Sequence, residues 1–258
     1  METAATPPFA SAIPARALLV ADSFRARAHG GVAEVRGLAL HLARFRAAVV
    51  AAAVSPIEQD LDDFIASALP QIAEAGDGFP RLELWHDSAA LSLALALRPL
   101  PTLRDDIALA STERPSAVTD PEVKGPNIAA YAALAAQLDG EALLLDEAGR
   151  AIEGTTTSLV WWHADGTGGV SAAPDRVASV TEQLVVRMAH GFGDSIATEY
   201  RTPLELTGLE VWAVNALHGI RPVVSIDGQA PTRHDPDRIA RYRAALDRAW
   251  EPVLSAAA

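Results

Sequence analysis

Cysteine is absent from the 258 residues, which excludes disulfides, thiolate nucleophiles and cysteine-ligated metals; no metal site is expected. Lysine is nearly absent: 20 of the 21 basic residues are arginine, and the exception is Lys124. No basic stripe offsets a formal charge of −12. A field of that sign repels phosphate backbones and anionic membranes, so neither nucleic acid nor membrane is an expected partner. Long apolar runs are missing as well. The longest, "AAVVAAAV" at residues 47–54, is far short of the roughly 18 residues a membrane span needs. The Ala- and Pro-rich residues 1–15 lack a basic start and an apolar core, so they read as a frayed end rather than a signal peptide. The expected compartment is the cytoplasm.

What is present is an ordinary globular composition, 50% hydrophobic with charges interspersed, long enough for one large domain or two modest ones. The preference for arginine and alanine follows from GC-rich coding. Against that bias a surface lysine drifts readily to arginine, whereas an imine-forming lysine cannot, because a guanidinium stays protonated. On composition alone Lys124 is open to both readings.

The segments "ARALLVADSFRARA" and "VAEVRG" flank an "HGG" hairpin signal. "LALHLARFRAAVVAAAV" and "IEQDLDDFIASALPQIAEA" carry apolar residues at helical spacing, while "RLELWHD" and "LSLALALR" read as strands. The Pro-rich "PLPTLRDD" at residues 99–106 is the expected linker, dividing a smaller N-terminal α/β domain (1–104) from a larger C-terminal domain (105–258). Beyond it, "IALAST" reads as a strand and "IAAYAALAAQL" as a helix with Asn127 as its cap. "EALLLDEAGRAIEG" and "TSLVWWHADGTGGV" read as strand pairs, and "DRVASVTEQLVVRMAHG" as a helix ending at glycine. "SIATEYR", "LEVWAVNA" and "RPVVSIDG" add strands before a closing helix, "DPDRIARYRAALDRAW". No internal repeat is present. The fold class is α/β (α+β), with helices and strands mixed throughout.

An imine-forming lysine serves a carbonyl substrate or pyridoxal phosphate. That cofactor needs a lysine, an anion cup for its phosphate and a group facing its pyridine nitrogen. Arg44, one turn beyond His41, and the start of the helix at "VTEQLVVRM", with the hydroxyl of Thr181, are candidates for the cup. Glu153, ahead of Gly154 and three threonines, is the candidate for the nitrogen. Each has a plainer reading: a salt-bridged surface arginine, a helix cap and a solvated strand-end carboxylate.

"EALLLDEAGRAIEGTTTSLVWW" resembles the signature of the class IV (fold type IV) pyridoxal-phosphate enzymes, which comprise branched-chain aminotransferases, D-amino-acid aminotransferases and aminodeoxychorismate lyases. "LHLARF", "VKGPN" and "VNALHGIRPVVSIDG" resemble further segments of that family in the same order, from about Leu18 to Gly228. The resemblance implies a two-domain fold with a small N-terminal α/β domain, a larger C-terminal pseudo-barrel domain, pyridoxal 5′-phosphate between them, and a homodimer. It makes Lys124 the aldimine lysine and proton shuttle. It makes Arg44, Val180 and Thr181 phosphate ligands, with Asn215, Ala216 and Leu217 on a second phosphate-side loop, and Glu153 the partner of the pyridine nitrogen. The sequence departs from the family pattern at Ile128, where many members carry tyrosine or arginine, at Ser158, and in "VADSF", where Gly–Asp–Gly is usual; Tyr131 stands nearly one helical turn beyond Ile128.

An amino-acid substrate carries a carboxylate, and Arg25, Arg27, Arg98 and Arg104 are the candidates to bind it. Trp161, Trp162 and Trp212 are expected in the core or a dimer interface. The first expected function is transamination between an amino acid and a 2-keto acid through Lys124. Second is lysis of aminodeoxychorismate to 4-aminobenzoate and pyruvate. A non-catalytic cofactor binder is a distant third.

Overall fold

The computed structural model describes residues 16–53, 57–87, 90–138, 141–232 and 234–254. The expected frayed end at residues 1–15 lies outside the described residues. The segment "ARALLVADSFRARA" forms two strands, β1 (Arg16–Ser23) and β2 (Ala26–His29). The break falls at fully buried Phe24, where the chain bonds the backbone at Pro80 and Gly78 before starting a new sheet. β2 pairs with β3 (Val32–Arg36) across Gly30 and Gly31. Both glycines have positive φ, 59° and 79°, as a tight hairpin turn of this hand requires.

Helix α1 (Leu38–Ala52) buries Leu38, His41, Phe45 and Val49 on one stripe, and α2 (Glu58–Ala75) buries Leu61, Ile65, Ala68 and Ile72. Burial of each large apolar side chain contributes about 1.5–3 kcal/mol. These stripes close over β4 (Arg81–Asp87) and β5 (Ala90–Ala96), which form the antiparallel sheet β1-β4-β5. Residues 97–106 carry neither helix nor strand.

The next eight strands form one sheet. Its members in chain order are β6 (Ile107–Glu113), β7 (Glu141–Leu145), β8 (Ala151–Gly154), β9 (Ser158–Trp162), β10 (Gly168–Ser171), β11 (Ile196–Glu199), β12 (Glu210–Asn215) and β13 (Gly219–Ile226). The spatial order is β11-β10-β9-β12-β13-β6-β7-β8, with the β10–β11, β13–β6 and β6–β7 pairs parallel. The sheet curls into a half-barrel, bringing β8 back beside β10, where Ser171 Oγ donates to the Ala151 carbonyl at 3.1 Å. Trp161 stands in one core cluster, while Trp162 and Trp212 pack with Tyr242 at 5.2–5.3 Å between centroids in another. All three tryptophans are core residues, at most 1% exposed.

The helices of this half are α3 (Ile128–Ala135), α4 (Val180–Phe192), α5 (Pro203–Thr207) and α6 (Pro236–Asp247). Asn127 occupies the cap position of α3 without capping it. Its amide instead pairs with both backbone groups of Thr119, at 3.2 and 2.7 Å, and braces the preceding loop. α4 begins at Val180 rather than Asp175, because Ser179 supplies the cap by accepting the Glu182 amide. α5 is not among the expected elements, although "TPLE" encodes a capping box between Thr202 and Glu205 with proline at the first turn. The last helix stops at Asp247, and Trp250 opens β14 (Trp250–Pro252), which pairs with β3 to complete a third sheet, β14-β3-β2. No helix among the described residues is long and apolar enough to cross a membrane.

Candidate functional site

Between the N-terminal elements and the half-barrel lies a cavity of about 340 Å³, bounded by the lysine loop, β8, the start of α4 and the turn after β12. Lys124 reaches it from a loop pressed against β1, where the Ala21 amide donates to the Lys124 carbonyl at 2.7 Å. The approach depends on Gly125, which has φ 147°; a Cβ there would sit 2.8 Å from the β1 backbone. Burial, and then the guanidinium of Arg44, lower the Lys124 ammonium to about 8, against the pull of Asp22 and Glu153. A substantial fraction of this amine is therefore neutral near physiological pH.

Arg44 is oriented by a carboxylate that the sequence reading missed. Its Nε and Nη2 donate to the two oxygens of Asp22 at 2.8 and 2.9 Å, and Nη1 donates to the Ala178 carbonyl at 2.8 Å. His41 Nδ1 lies 2.7 Å from the same carboxylate, and Asp22 and His41 are each 1% exposed. Burial raises the Asp22 pKa, but Arg44 and His41 outweigh it and hold the carboxyl well below the usual range. Beside Arg44, the amides of Val180 and Thr181 meet no acceptor among the described residues. Two free amides at a helix start beside a fixed guanidinium make an anion cup.

Glu153 lines the cavity from β8 and is 4% exposed. The Val177 amide, at 3.4 Å, is its one hydrogen-bond donor among the described residues. Of the cations that act on it, Arg176 is engaged by Glu182 at 2.8 Å. Burial accordingly raises the Glu153 carboxyl to about 8. The following threonines are held by Glu141, which accepts from the Thr156 amide at 2.6 Å and from the Thr156 and Thr157 hydroxyls at 2.7 and 2.9 Å. Asn215 ties this loop to the turn after β12, its Nδ2 donating to the Thr156 carbonyl at 3.2 Å. Ala216 and Leu217 line the cavity at that turn. Ile128 and Ser158 line it too, as does Tyr131, whose buried hydroxyl has no partner among the described residues.

The family model for amino-transferase class IV matches residues 20–226, most of the chain and all of this site's elements. The chain belongs to the class IV aminotransferase family. Solved structures with the same fold include a branched-chain aminotransferase from the thermophilic archaeon Thermoproteus uzoniensis, with norvaline. It is 18% identical, with coverage of 91% of this chain and 90% of its own, and a TM-score of 0.74. A Legionella pneumophila protein named as a putative 4-amino-4-deoxychorismate lyase is 14% identical, with coverage of 89% and 90% and a TM-score of 0.74. A hypothetical Mycobacterium tuberculosis aminotransferase in its PLP-bound form is 18% identical, with coverage of 89% and 88% and a TM-score of 0.68. Among curated proteins none matches.

In this member of the class IV aminotransferase family the cavity gathers Lys124, Arg44, Glu153, Val180, Thr181, Asn215, Ala216 and Leu217. Of the four arginines expected to bind substrate, Arg98 alone lines it. Its Nε donates to the Phe79 carbonyl at 3.1 Å and its Nη2 to Ser23 Oγ at 3.0 Å, both neutral partners. Neighbouring Arg81 is paired with Glu83. Arg25, Arg27 and Arg104 stand outside the lining. Arg27 is bound to Glu34 at 2.8 Å and lies with Arg25 against the Trp250 ring. An alternation along one strand gives no indication that β2 belongs to a different sheet from β1. Asp22 was legible only as an acid in "VADSF"; its link to Arg44 joins residues 22 apart in sequence.

Proposed function

We infer that the chain is a pyridoxal-phosphate-dependent aminotransferase acting on an amino acid and a 2-keto acid. The observation that carries this reading is one cavity holding a lysine lowered to about 8 between an anion cup and a buried carboxyl raised to about 8. The orphaned Tyr131 hydroxyl in the same wall suits a polar occupant. Arg44, Val180 and Thr181 would hold the phosphate, and Glu153 would face the ring nitrogen. When bound, the cofactor supplies the electron sink that makes a substrate Cα–H acidic.

The chain's own part is positional and acid–base. Lys124 Nζ, neutral in part near pH 8, accepts the Cα proton and returns it on the far side of the transfer. Glu153, ionised, would hold the proton of a ring nitrogen placed beside it. Arg98, with no carboxylate partner among the described residues, orients the substrate carboxylate. Val123, Ile128, Val180 and Leu217 exclude water.

The test is the visible absorption of purified protein after incubation with pyridoxal phosphate and desalting, with Lys124→Ala alongside. A retained band that borohydride bleaches, absent in the variant, is expected; a colourless wild type overturns the proposal. The second reading is lysis of 4-amino-4-deoxychorismate, favoured by cations around the cavity that suit a substrate with two carboxylates. Release of pyruvate without a keto-acid acceptor would select it.

A further inference from the structure

The anion cup holds less net charge than its arginine suggests. A guanidinium has five N–H donors, and Asp22 takes two of those on Arg44, from Nε and Nη2, at 2.8 and 2.9 Å. A third goes to the Ala178 carbonyl at 2.8 Å, which leaves one N–H on each terminal nitrogen. Guanidinium and carboxylate cancel, so the pair gives the cup direction but no net charge. What remains is the partial positive charge at the start of α4, where the Val180 and Thr181 amides are free. Other cations lining the cavity have their own partners or role. Arg81 is paired with Glu83, Arg98 is held by Phe79 and Ser23, and Lys124 is the reactive amine.

A phosphate monoester is mostly a dianion at neutral pH, its second pKa being about 6. Seated beside the Arg44–Asp22 pair, it brings two negative charges that only helix amides oppose. Charge withdrawn from water without a counter-charge is costly.

His41 is placed to supply that counter-charge. It stands one turn before Arg44 on α1, lines the cavity and is 1% exposed. Its Nδ1 lies 2.7 Å from Asp22 Oδ1. A carboxylate only accepts, so Nδ1 carries the proton and the lone pair is on Nε2, which has no hydrogen-bond partner among the described residues. Phe24 tilts over the imidazole at 5.1 Å between centroids. The charged groups facing the ring are Asp22 from β1, Arg44 from its own helix and Lys124 from the lysine loop. Burial first, and then Arg44 and Lys124, lower the imidazole against the pull of Asp22, so in the empty cup it is neutral near physiological pH.

We propose that His41 is a proton site of the anion cup: the cofactor's phosphate enters together with one proton, which His41 Nε2 takes from solvent and Asp22 stabilises through Nδ1–H. The inference rests on the cofactor reading given above. Asp22 and His41 are then positioning residues that set how firmly the phosphate is held. Because the occupied cup carries one more proton than the empty one, affinity falls as pH rises through neutrality.

The test is calorimetric, with pyridoxamine 5′-phosphate, which has no aldehyde and forms no imine with Lys124. Binding heats of the full chain at about pH 7, in two buffers of unlike ionisation enthalpy, count the protons exchanged. The comparison is with His41→Asn, whose amide can still donate to Asp22 but takes no second proton. Protons exchanged at Glu153, Lys124 and the ring are common to both proteins, so the difference isolates His41. Wild type should take up nearly one proton more than the variant, and between about pH 7 and about pH 8 should lose up to tenfold more affinity. Asp22→Asn, in which the charge of Arg44 is free for the phosphate, should lose the uptake likewise, and it carries the comparison if His41→Asn lacks the Lys124-dependent band that marks an intact site. Equal proton counts in wild type and variant, or equal slopes of affinity with pH, overturn the proton site while leaving the cofactor reading intact. A wild type that binds no pyridoxamine 5′-phosphate defeats the proposed function, and the proton site with it.

Discussion

Glu153→Gln tests the electrostatics of the site apart from turnover. In the cofactor-free protein the Glu153 carboxyl is displaced from 4.5 to about 8, mainly by burial. Because the folded protein holds this proton more tightly than the unfolded chain, the cost of ionising it is absent below the unfolded value. It grows as pH rises from 4.5 and is complete above about 8. At about 1.4 kcal/mol per pH unit, the displacement sets a ceiling of roughly 5 kcal/mol, and relaxation around the charge brings the expectation to about 2–4 kcal/mol. Glutamine keeps the shape and can still accept from the Val177 amide, but never ionises. Urea unfolding of both proteins from about pH 4 to about pH 9 should therefore show nearly equal stability at the acid end and a more stable variant at the alkaline end. Taking the difference cancels the other titrating groups. Saturating pyridoxal phosphate should reverse the ranking, since the wild-type carboxylate then has a cationic partner and the amide does not. A difference that stays flat across the pH range would refute the assignment of Glu153 as a carboxyl held neutral by burial.

Other outcomes follow from the same geometry. Arg44→Gln should weaken pyridoxal phosphate by about ten- to a hundredfold, the worth of a charged phosphate contact, and leave the phosphate-free pyridoxal nearly unaffected in equilibrium titrations. The rate at which pyridoxal phosphate reacts with the empty protein should rise with pH through about 8 rather than 10.5, because the neutral Lys124 amine is the nucleophile; a stopped-flow pH series reads this directly. Gly125→Ala places a methyl 2.8 Å from the β1 backbone, so chemical unfolding should register a loss of about 3 kcal/mol or more, together with loss of the Lys124 band.

The sequence displayed what is local and repetitive. The α1 and α2 stripes, the "HGG" hairpin and the strand pairs around "DEAGR" and "ADGTG" follow from short-range periodicity and turn chemistry. Lys124 stood out against the codon bias, and Arg44 and Glu153 were legible through the family signature. Less visible were contacts made by packing across the fold. Nothing near Asp22 announces that it clamps Arg44, and nothing in "SFRARA" reveals a change of sheet at Phe24. Arg25 and Arg27 follow that change of sheet and stand outside the cavity lining. Asn127 shows the same limit, since its position is a cap but its amide finds Thr119 instead.

β14 bears on how the protein is made. The ribosome delivers β2 and β3 long before residues 250–252, so their sheet lacks its third strand until those residues emerge, and the Val253 amide then donates to the Ala33 carbonyl at 2.8 Å. Throughout the interval between them β3 therefore has an open side, the kind of unpaired edge that recruits other chains. A strand made late closes a sheet begun early, so a nascent chain stalled in α6 would carry most of the cavity and still offer that edge to chaperones.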